Sequence, residues 1–160
     1  MSDLYEQLVQ RTSASFKRSC TQQRYKVAWL VGAPRSGKTT LAKQIAQINS
    51  WAYVDYTCEP GYFDQLTSTI MTYQPETFVA AVEEWCRTCT QSVLVLDEID
   101  ALLAVWSPQQ RGSWATALSK RQFLPNGLVL VSSFFDTFEI MRLLPDPRSE
   151  YCVSLAGVTQ

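Results

Sequence analysis

The sequence predicts an α/β fold in which helices cover both faces of a parallel β-sheet. Three observations lead to this prediction. Apolar runs typical of buried strands alternate with segments of helical periodicity along the 160 residues. A glycine-bounded loop joins the first apolar run to a helical segment, and a later apolar run ends in adjacent acidic residues. Continuous apolar strands of this kind are typical of parallel sheets, which are buried on both faces.

The glycine-bounded loop, residues 32–39, matches the pattern G-x-x-x-x-G-K-[ST] at every fixed position. It follows the apolar run 25–31 and precedes the helical segment 40–48. At such a helix start, backbone N–H groups and the helix dipole favour phosphate, and the Lys38 ammonium would reach the outer phosphates. The predicted nucleotide-binding residues are Gly32, Ala33, Pro34, Arg35, Ser36, Gly37, Lys38, Thr39 and Thr40.

The second informative segment, residues 92–100, is an apolar run that ends in acidic residues. A carboxylate at the carboxyl end of a parallel strand faces the phosphate loop, so Asp97 and the Thr39 hydroxyl are the predicted ligands of Mg²⁺. Glu98 is the predicted catalytic base, which can orient and deprotonate a water aimed at the terminal phosphate. A solvated acidic turn is the alternative interpretation, and the phosphate loop upstream argues against it.

Periodicity predicts the remaining elements. The predicted strands are residues 25–31, 51–56, 92–97, 128–133 and 151–155. The other predicted helices are residues 3–17, a short one around 63–71, one that begins at Pro75, one from a capping box at 107–110 towards Arg121, and 136–143. The predicted buried positions are Leu4, Leu8 and Val9 in the first helix, Leu41, Ile45 and Ile48 after the loop, and Phe78, Val82, Trp85 and Cys89 after Pro75.

Length and composition suit one globular domain over residues 1–160, with a leading helix at 1–22 and a core at 25–157. No apolar run approaches the length of a membrane span, and the first residues do not resemble a secretory signal. A cytoplasmic protein without membrane contact is therefore expected. The sequence contains no histidine, which excludes Ser-His, Cys-His and His-metal mechanisms.

The five cysteines, an odd number, are expected to be free thiols. Cys86 and Cys89 have the spacing of a zinc or redox motif. They lie in a helical pattern without a second cysteine pair, so core or half-buried thiols are favoured over metal ligands.

The net charge of −1 hides a basic N-terminal third. This asymmetry is compatible with an anionic partner, including DNA. A solvated face together with the electrostatics of a nucleotide site explains it equally well.

With these two motifs and five strands, the chain resembles the ASCE division of P-loop NTPases, and within it the AAA+ and STAND-like branch. The resemblance implies a three-layer αβα core with a five-stranded parallel sheet ordered 5-1-4-3-2, and it implies ATP and Mg²⁺. The family places a polar sensor at the end of the fourth strand, where Ser132 or Ser133 stands. It also places an arginine finger ahead of the fifth strand, acting on a neighbour's nucleotide, with Arg148 or Arg142 as the candidate.

Two departures from that pattern matter. Arg35 replaces the glycine usual in the loop of this branch, and the sequence ends at Gln160, directly after the fifth predicted strand. We therefore expect no C-terminal helical lid, and slow or absent hydrolysis by the isolated chain. A homo-oligomer or a hetero-assembly would then supply an arginine finger or a lid.

In size and architecture the chain is also similar to the small P-loop component of BREX phage-defence clusters in bacteria. That resemblance implies antiviral defence beside larger ATPase, methyltransferase and DNA-associated partners.

Three functions compete at this point. The first is Mg-dependent ATP hydrolysis; ATP is preferred to GTP because no Asn-Lys-x-Asp guanine motif is present. The second is a non-hydrolysing ATP-binding regulatory switch. The third is a small-molecule kinase or transferase, since the loop is also similar to the phosphosulfate loop of sulfotransferases; Lys38 and the Asp97-Glu98 pair argue against the latter.

Overall fold

The computed structural model describes residues 2–155. Five parallel strands form one sheet in the order β2-β3-β4-β1-β5, which confirms the predicted order 5-1-4-3-2, counted from the other edge. The strands are β1 (Val27–Val31), β2 (Ala52–Asp55), β3 (Val93–Asp97), β4 (Gly127–Ser132) and β5 (Cys152–Ser154). The helices are α1 (Ser2–Thr21), α2 (Lys38–Asn49), α3 (Pro75–Thr88), α4 (Asp100–Leu103), α5 (Pro108–Ser119) and α6 (Thr137–Leu143).

The three inner strands are buried along their whole length, as their unbroken apolar sequences predict. Alternate side chains of β1 enter two different cores, because successive residues of a strand point to opposite faces. Trp29 packs with Phe78 of α3 and Trp114 of α5 on one face. Leu30 packs on the other face with residues of α1 and α2. The molecule therefore has the predicted three layers.

Helix α1 begins and ends within a few residues of the predicted limits, but its buried face differs at the first turn. Leu8 and Val9 are buried as predicted, whereas Leu4 is 73% exposed. Tyr5 packs against the core instead, three residues before Leu8. Some positions used in the sequence predictions lie outside the described residues. They are the predicted domain limits at residues 1 and 157, and the end of the sequence at Gln160, which was the basis for expecting no lid.

Helix α2 also departs from the predicted burial at its last turn. Leu41 and Ile45 are buried, but Ile48 is 53% exposed. Asn49 takes the place next to α1, because its side-chain amide donates to Ser13 Oγ at 2.7 Å. The prediction for Ile48 was wrong.

Helix α3 buries Phe78 and Val82 as predicted, while Trp85 is only half-buried. Of the two neighbouring cysteines, the structure buries Cys86 and leaves Cys89 half-exposed. Cys89 is the C-cap of α3 and has extended backbone. Its side chain therefore does not continue the buried face of the helix, on which its burial was predicted.

The predicted short helix around 63–71 is two 3₁₀ turns, Phe63–Leu66 and Ile70–Thr72. Local side-chain bonds compete with an α-helix here. The Gly61 amide donates to Asp64 Oδ1 at 2.9 Å, and Thr67 Oγ1 donates to the Asp64 carbonyl at 2.8 Å.

The capping box at the start of α5 is confirmed: Gln110 N–H donates to Ser107 Oγ, and Ser107 N–H donates to Gln110 Oε1. A second capping box, between Asp136 and Glu139, opens α6 and was missed in the sequence. Within residues 2–155 no helix has both the length and the apolar character needed to cross a bilayer.

Candidate nucleotide-binding site

The carboxyl ends of β1 and β3 and the start of α2 meet at one edge of the sheet, around an open cavity of about 800 Å³. Ligand sites of open α/β sheets lie outside the carboxyl ends of the strands. The predicted site residues that line this cavity are Pro34, Arg35, Gly37, Lys38, Thr39, Thr40, Asp97 and Glu98.

The loop between β1 and α2 has the backbone that a phosphate cradle needs. Gly32 has φ of 156°, and a Cβ atom there would lie 2.8 Å from Ser36 Oγ and 3.3 Å from Leu155 Cβ, so the backbone and the close packing together favour glycine. Arg35 and Gly37 have left-handed backbone, with φ of 64° and 97°. Ser36 Oγ is buried without a hydrogen-bond partner in the structure. The loop therefore carries an unsatisfied polar atom beside the amides that start α2.

Lys38 lies beneath this loop and is only 9% exposed. Its Nζ donates to the Gly32 carbonyl at 3.0 Å and to the Ala33 carbonyl at 2.8 Å. Burial lowers the pKa of the Lys38 ammonium, and the carboxylates of Asp100, Asp97 and Glu98 act in the opposite direction.

Thr39 and Asp97 come from different motifs and meet directly. Thr39 Oγ1 donates to Asp97 Oδ2 at 2.7 Å, and Glu98 Oε2 lies 3.4 Å from the same hydroxyl. The Asp97 side chain is nearly buried, with 3% exposure. A hydroxyl and a carboxylate are hard oxygen donors of the kind Mg²⁺ uses together with phosphate and water ligands. Within residues 2–155 no cluster of three or more carboxylate or thiol ligands forms a protein-only metal cage. This donor set fits magnesium held jointly with a nucleotide.

Glu98 follows β3 and is held by an unusual backbone conformation with φ of 64°. Its N–H donates to Asp97 Oδ1 at 2.7 Å, so the two acidic residues are oriented relative to each other. Partial burial, with the nearby charges of Asp97 and Asp55, raises the pKa of the Glu98 carboxyl. A raised pKa makes the ionised carboxylate a stronger proton acceptor.

Tyr53 of β2 is a member of this site that the sequence analysis missed. Its hydroxyl donates to Asp97 Oδ2 at 2.7 Å. Burial and the hydrogen bond to Asp97 raise the pKa of Tyr53, which keeps the phenol protonated as a donor. Nothing in the sequence of β2 signals this contact, because the partner lies on another strand.

The two serines at the end of β4 have different surroundings. Ser132 is 1% exposed; its Oγ donates to Asp100 Oδ1 at 2.6 Å and accepts from the Phe134 N–H at 3.0 Å. Ser133 lines the cavity, and its N–H donates to Asp100 Oδ2 at 2.9 Å. The carboxylate of Asp100 thus accepts a hydrogen bond from each of the two candidate sensors. The sequence analysis did not predict these contacts.

The two candidate finger arginines lie away from this chain's own phosphate loop. Arg148 immediately precedes the segment entering β5, at the amino edge of the sheet, where it contacts Asp146 at 2.9 Å and Gln23 at 3.2 Å. Arg142 of α6 lies over the Phe138 ring at 5.6 Å. The structure does not bring either arginine to Lys38 or Thr39.

The sequence also matches a known family. The profile of the ATPase family associated with various cellular activities (AAA) matches residues 28–121, which include both acidic and glycine-rich motifs. The chain belongs to the AAA family. It is therefore a P-loop NTPase of the AAA type. A comparison with curated proteins found no significant match.

Solved structures resemble this AAA chain at low sequence identity. The AAA domain of FIGL-1 is 16% identical, with a TM-score of 0.48 and 95% of this chain and 51% of that chain covered. PCH-2 of C. elegans is 14% identical, with a TM-score of 0.49 and coverages of 96% and 43%. The Walker-type ATPase PABY2304 of Pyrococcus abyssi is 15% identical, with a TM-score of 0.44 and coverages of 90% and 52%. The chain spans about half the length of these solved chains.

Proposed function

We propose that this AAA chain binds ATP with Mg²⁺ at the carboxyl edge of its sheet and hydrolyses it. The observation that carries the proposal is the 2.7 Å contact between Thr39 Oγ1 and Asp97 Oδ2, with Glu98 beside it and residues of the loop lining the same cavity. Two hard oxygen donors next to a phosphate-binding helix start are what an Mg-nucleotide requires.

Each residue has a role in this proposal. The loop 32–37 and Lys38 bind the phosphates, and Thr39 and Asp97 hold the metal, which offsets the phosphate charge. Glu98 accepts a proton from water while the water oxygen bonds to the terminal phosphorus. The bond from that phosphorus to the bridging oxygen breaks, and ADP and phosphate leave.

Turnover in this proposal involves a neighbouring subunit. Arg148 precedes β5, at the amino ends of the strands, whereas the phosphate loop follows β1 at their carboxyl ends, so Arg148 would act on a nucleotide bound by another copy or partner. Such an arginine would stabilise the charge of the transition state. Ser133 would contact the terminal phosphate, which its position in the lining of the cavity supports, while Ser132 would act only after leaving Asp100.

A non-hydrolysing ATP switch is the second candidate, and one contact favours it. The hydroxyl of Ser132, a candidate sensor, donates to Asp100 Oδ1 at 2.6 Å, so it must change partner before it can contribute to hydrolysis.

The wider setting belongs to the same proposal. Size and P-loop architecture support a cytoplasmic role in a bacterial phage-defence assembly of the BREX type. Contact with DNA in that assembly is supported by exposed basic residues of the N-terminal third, among them Arg11, Lys17 and Arg24.

Phosphate release and ATP binding test the main proposal. We expect release by the wild type to rise more than proportionally with protein concentration, and Glu98→Gln to slow it by about 10²–10⁴-fold. Glu6→Gln, which removes an exposed carboxylate of α1, should leave the rate unchanged. ATP binding without phosphate release at any concentration would support the switch instead.

Lys38→Ala tests the site independently of turnover. Loss of a buried ammonium should weaken ATP binding by about tenfold or more. Lys17→Ala, an exposed lysine of α1, is the matched control and should bind ATP normally. Unchanged ATP affinity in Lys38→Ala would contradict the assignment of the phosphate site.

A further inference from the structure

Three donors converge on the carboxylate of Asp97. Thr39 Oγ1 and Tyr53 Oη each donate to Oδ2 at 2.7 Å, and the Glu98 N–H donates to Oδ1 at 2.7 Å. The side chain is 3% exposed, so water has little room to replace a missing donor. With donors on both oxygens, the plane of the carboxylate is fixed.

Tyr53 differs from the other two donors in its origin. Thr39 belongs to the predicted phosphate-binding segment and Glu98 to the acidic segment, so each has a predicted role of its own in the site. Tyr53 belongs to β2, whose backbone is paired with β3 in a register that places Tyr53 beside Val95. Its hydroxyl therefore reaches Asp97 from the neighbouring strand of the sheet.

The phenol ring is itself held in place from α2. Lys43 Nζ lies 5.6 Å from the centre of the Tyr53 ring, within the range of a cation–π contact. Lys43 is exposed and lies one helical turn after Thr39. Strand β2 thus carries the ring, the Lys43 cation of α2 contacts it, and the ring's hydroxyl orients the carboxylate of Asp97.

The hydroxyl of Tyr53 suits an outer-shell role at a metal site. Groups that hydrogen-bond to a metal's ligands orient them, and their removal weakens metal binding without removing a ligand. A threonine hydroxyl has two lone pairs and one proton, so Thr39 Oγ1 can give a lone pair to a metal and still donate to Asp97. Tyr53 is not a predicted ligand of the metal, so the whole contribution of its hydroxyl passes through the orientation of Asp97.

We propose that Tyr53 is a positioning residue of the magnesium site, acting through Asp97. This proposal rests on the proposed function, because it concerns the Mg²⁺ that accompanies ATP. It predicts that the hydroxyl contributes to the affinity for Mg²⁺ in the presence of ATP and contributes little to the binding of ATP alone.

Binding of ATP labelled with a methylanthraniloyl fluorophore tests the proposal. The labelled ATP is first titrated in EDTA, and magnesium chloride is then titrated at a fixed labelled-ATP concentration. For Tyr53→Phe we expect the Mg²⁺ concentration at half-effect to rise about tenfold or more, as for other outer-shell partners. Affinity in EDTA should stay within about twofold of the wild type, since the ring and the loop are retained.

Tyr151→Phe is the matched control. It also removes one tyrosine hydroxyl bond, from Tyr151 Oη to the Tyr25 carbonyl at 2.6 Å, but at the amino edge of the sheet. Both affinities should be unchanged in this variant. An Mg²⁺ requirement of Tyr53→Phe within twofold of the wild type would overturn the proposal, as would an equal loss of ATP affinity with and without Mg²⁺.

Lys43→Gln gives a second test that leaves every hydroxyl and the core unchanged. Losing the cation over the ring should raise the Mg²⁺ requirement by about two- to fivefold, and Lys43→Arg should restore it. No shift in Lys43→Gln would remove the part of the proposal that concerns α2. A wild type that binds no ATP under either condition would instead refute the proposed function itself.

Discussion

Two residues of the site, Arg35 and Glu98, have a backbone conformation that side chains other than glycine rarely adopt. Both have φ of 64°. Left-handed backbone costs about 1–2 kcal/mol for an ordinary L-residue, and such positions cluster at functional sites. One of the two lies in the phosphate loop and the other directly after β3. Ser50 and Phe123 also have positive φ but do not line the cavity, so two of the four such non-glycine residues in 2–155 belong to the site.

Replacing Arg35 with glycine should relieve part of this strain. We expect Arg35→Gly to stabilise the fold by about 1 kcal/mol, because glycine adopts a φ of 64° without steric cost. In a chain of this length that corresponds to a melting temperature about 2–4 °C higher. Thermal unfolding followed by circular dichroism measures it.

Arg35→Ala is the control, since it removes the charge and keeps the strained backbone. It should show no comparable gain. If the alanine and glycine variants melt at the same temperature, the strain at this position is not what limits stability.

The sequence predicted the site residues that belong to a contiguous motif and missed those that do not. Lys38 and Thr39 were predicted from the glycine-bounded loop, and Asp97 was predicted from the apolar run that it ends. Each prediction therefore needed only one short segment of the sequence. Tyr53 contacts Asp97 from 44 residues away, and Asp100 contacts Ser132 from 32 residues away. Such pairs depend on strand order and register, which a single sequence does not specify.

At the scale of single elements, the start of α5 offers a test of the capping box. Gln110 N–H donates to Ser107 Oγ at 3.1 Å, and Ser107 N–H to Gln110 Oε1 at 2.9 Å. We expect Ser107→Ala to destabilise the protein by about 1 kcal/mol, which lowers the melting temperature by about 2–4 °C. The loss should be visible in chemical and thermal unfolding alike.

Ser113→Ala, in the exposed interior of the same helix, is the matched control. It should be neutral or slightly stabilising, because alanine has the higher helix propensity. Equal losses in both variants would contradict a role for the cap.

The ends of elements were harder to predict than their existence. The helical pattern after Pro75 was correct, but it assigned Cys89 to the buried face although α3 ends at Thr88. The segment around 63–71 was predicted to be a short helix but forms 3₁₀ turns, because Asp64 and Thr67 bond to nearby backbone. The spacing of hydrophobic residues does not show where such side-chain bonds compete with the hydrogen bonds of an α-helix.

For the whole molecule, the five cysteines predict a thiol-labelling pattern. Burial raises the pKa of Cys20 to about 12, and those of Cys86 and Cys152 to about 11. At pH 8 these thiols hold their protons, and only the thiolate reacts. In the native protein Cys58, which is exposed, should react at once and Cys89 more slowly.

Counting labelled thiols by mass spectrometry checks this pattern. All five cysteines should react in denaturant, and Cys58→Ser should remove the fast phase in the native protein. Rapid labelling of a third thiol without denaturant would show that the core is less closed than the structure indicates.

The architecture was more predictable than its details. Alternating strands and helices limit the choice to a parallel sheet with right-handed crossovers. The resemblance carried by the two motifs then supplied the strand order, which the structure confirms. The division of side chains between the two cores, such as Trp29 against Leu30, follows from the alternation along a strand once the sheet is known to be covered on both sides.

The two carbonyl contacts of Lys38 affect how any affinity of this site is to be interpreted. A phosphate that approaches the ammonium competes with the oxygens of Gly32 and Ala33, which already lie within 3.0 Å of it. The measured affinity for phosphate then reflects the difference between two sets of contacts of the Lys38 ammonium, those with the two carbonyls and those with the phosphate. The same loop supplies both the competing carbonyls and the amides that would bind phosphate, so a substitution in it would change both sides of this competition at once.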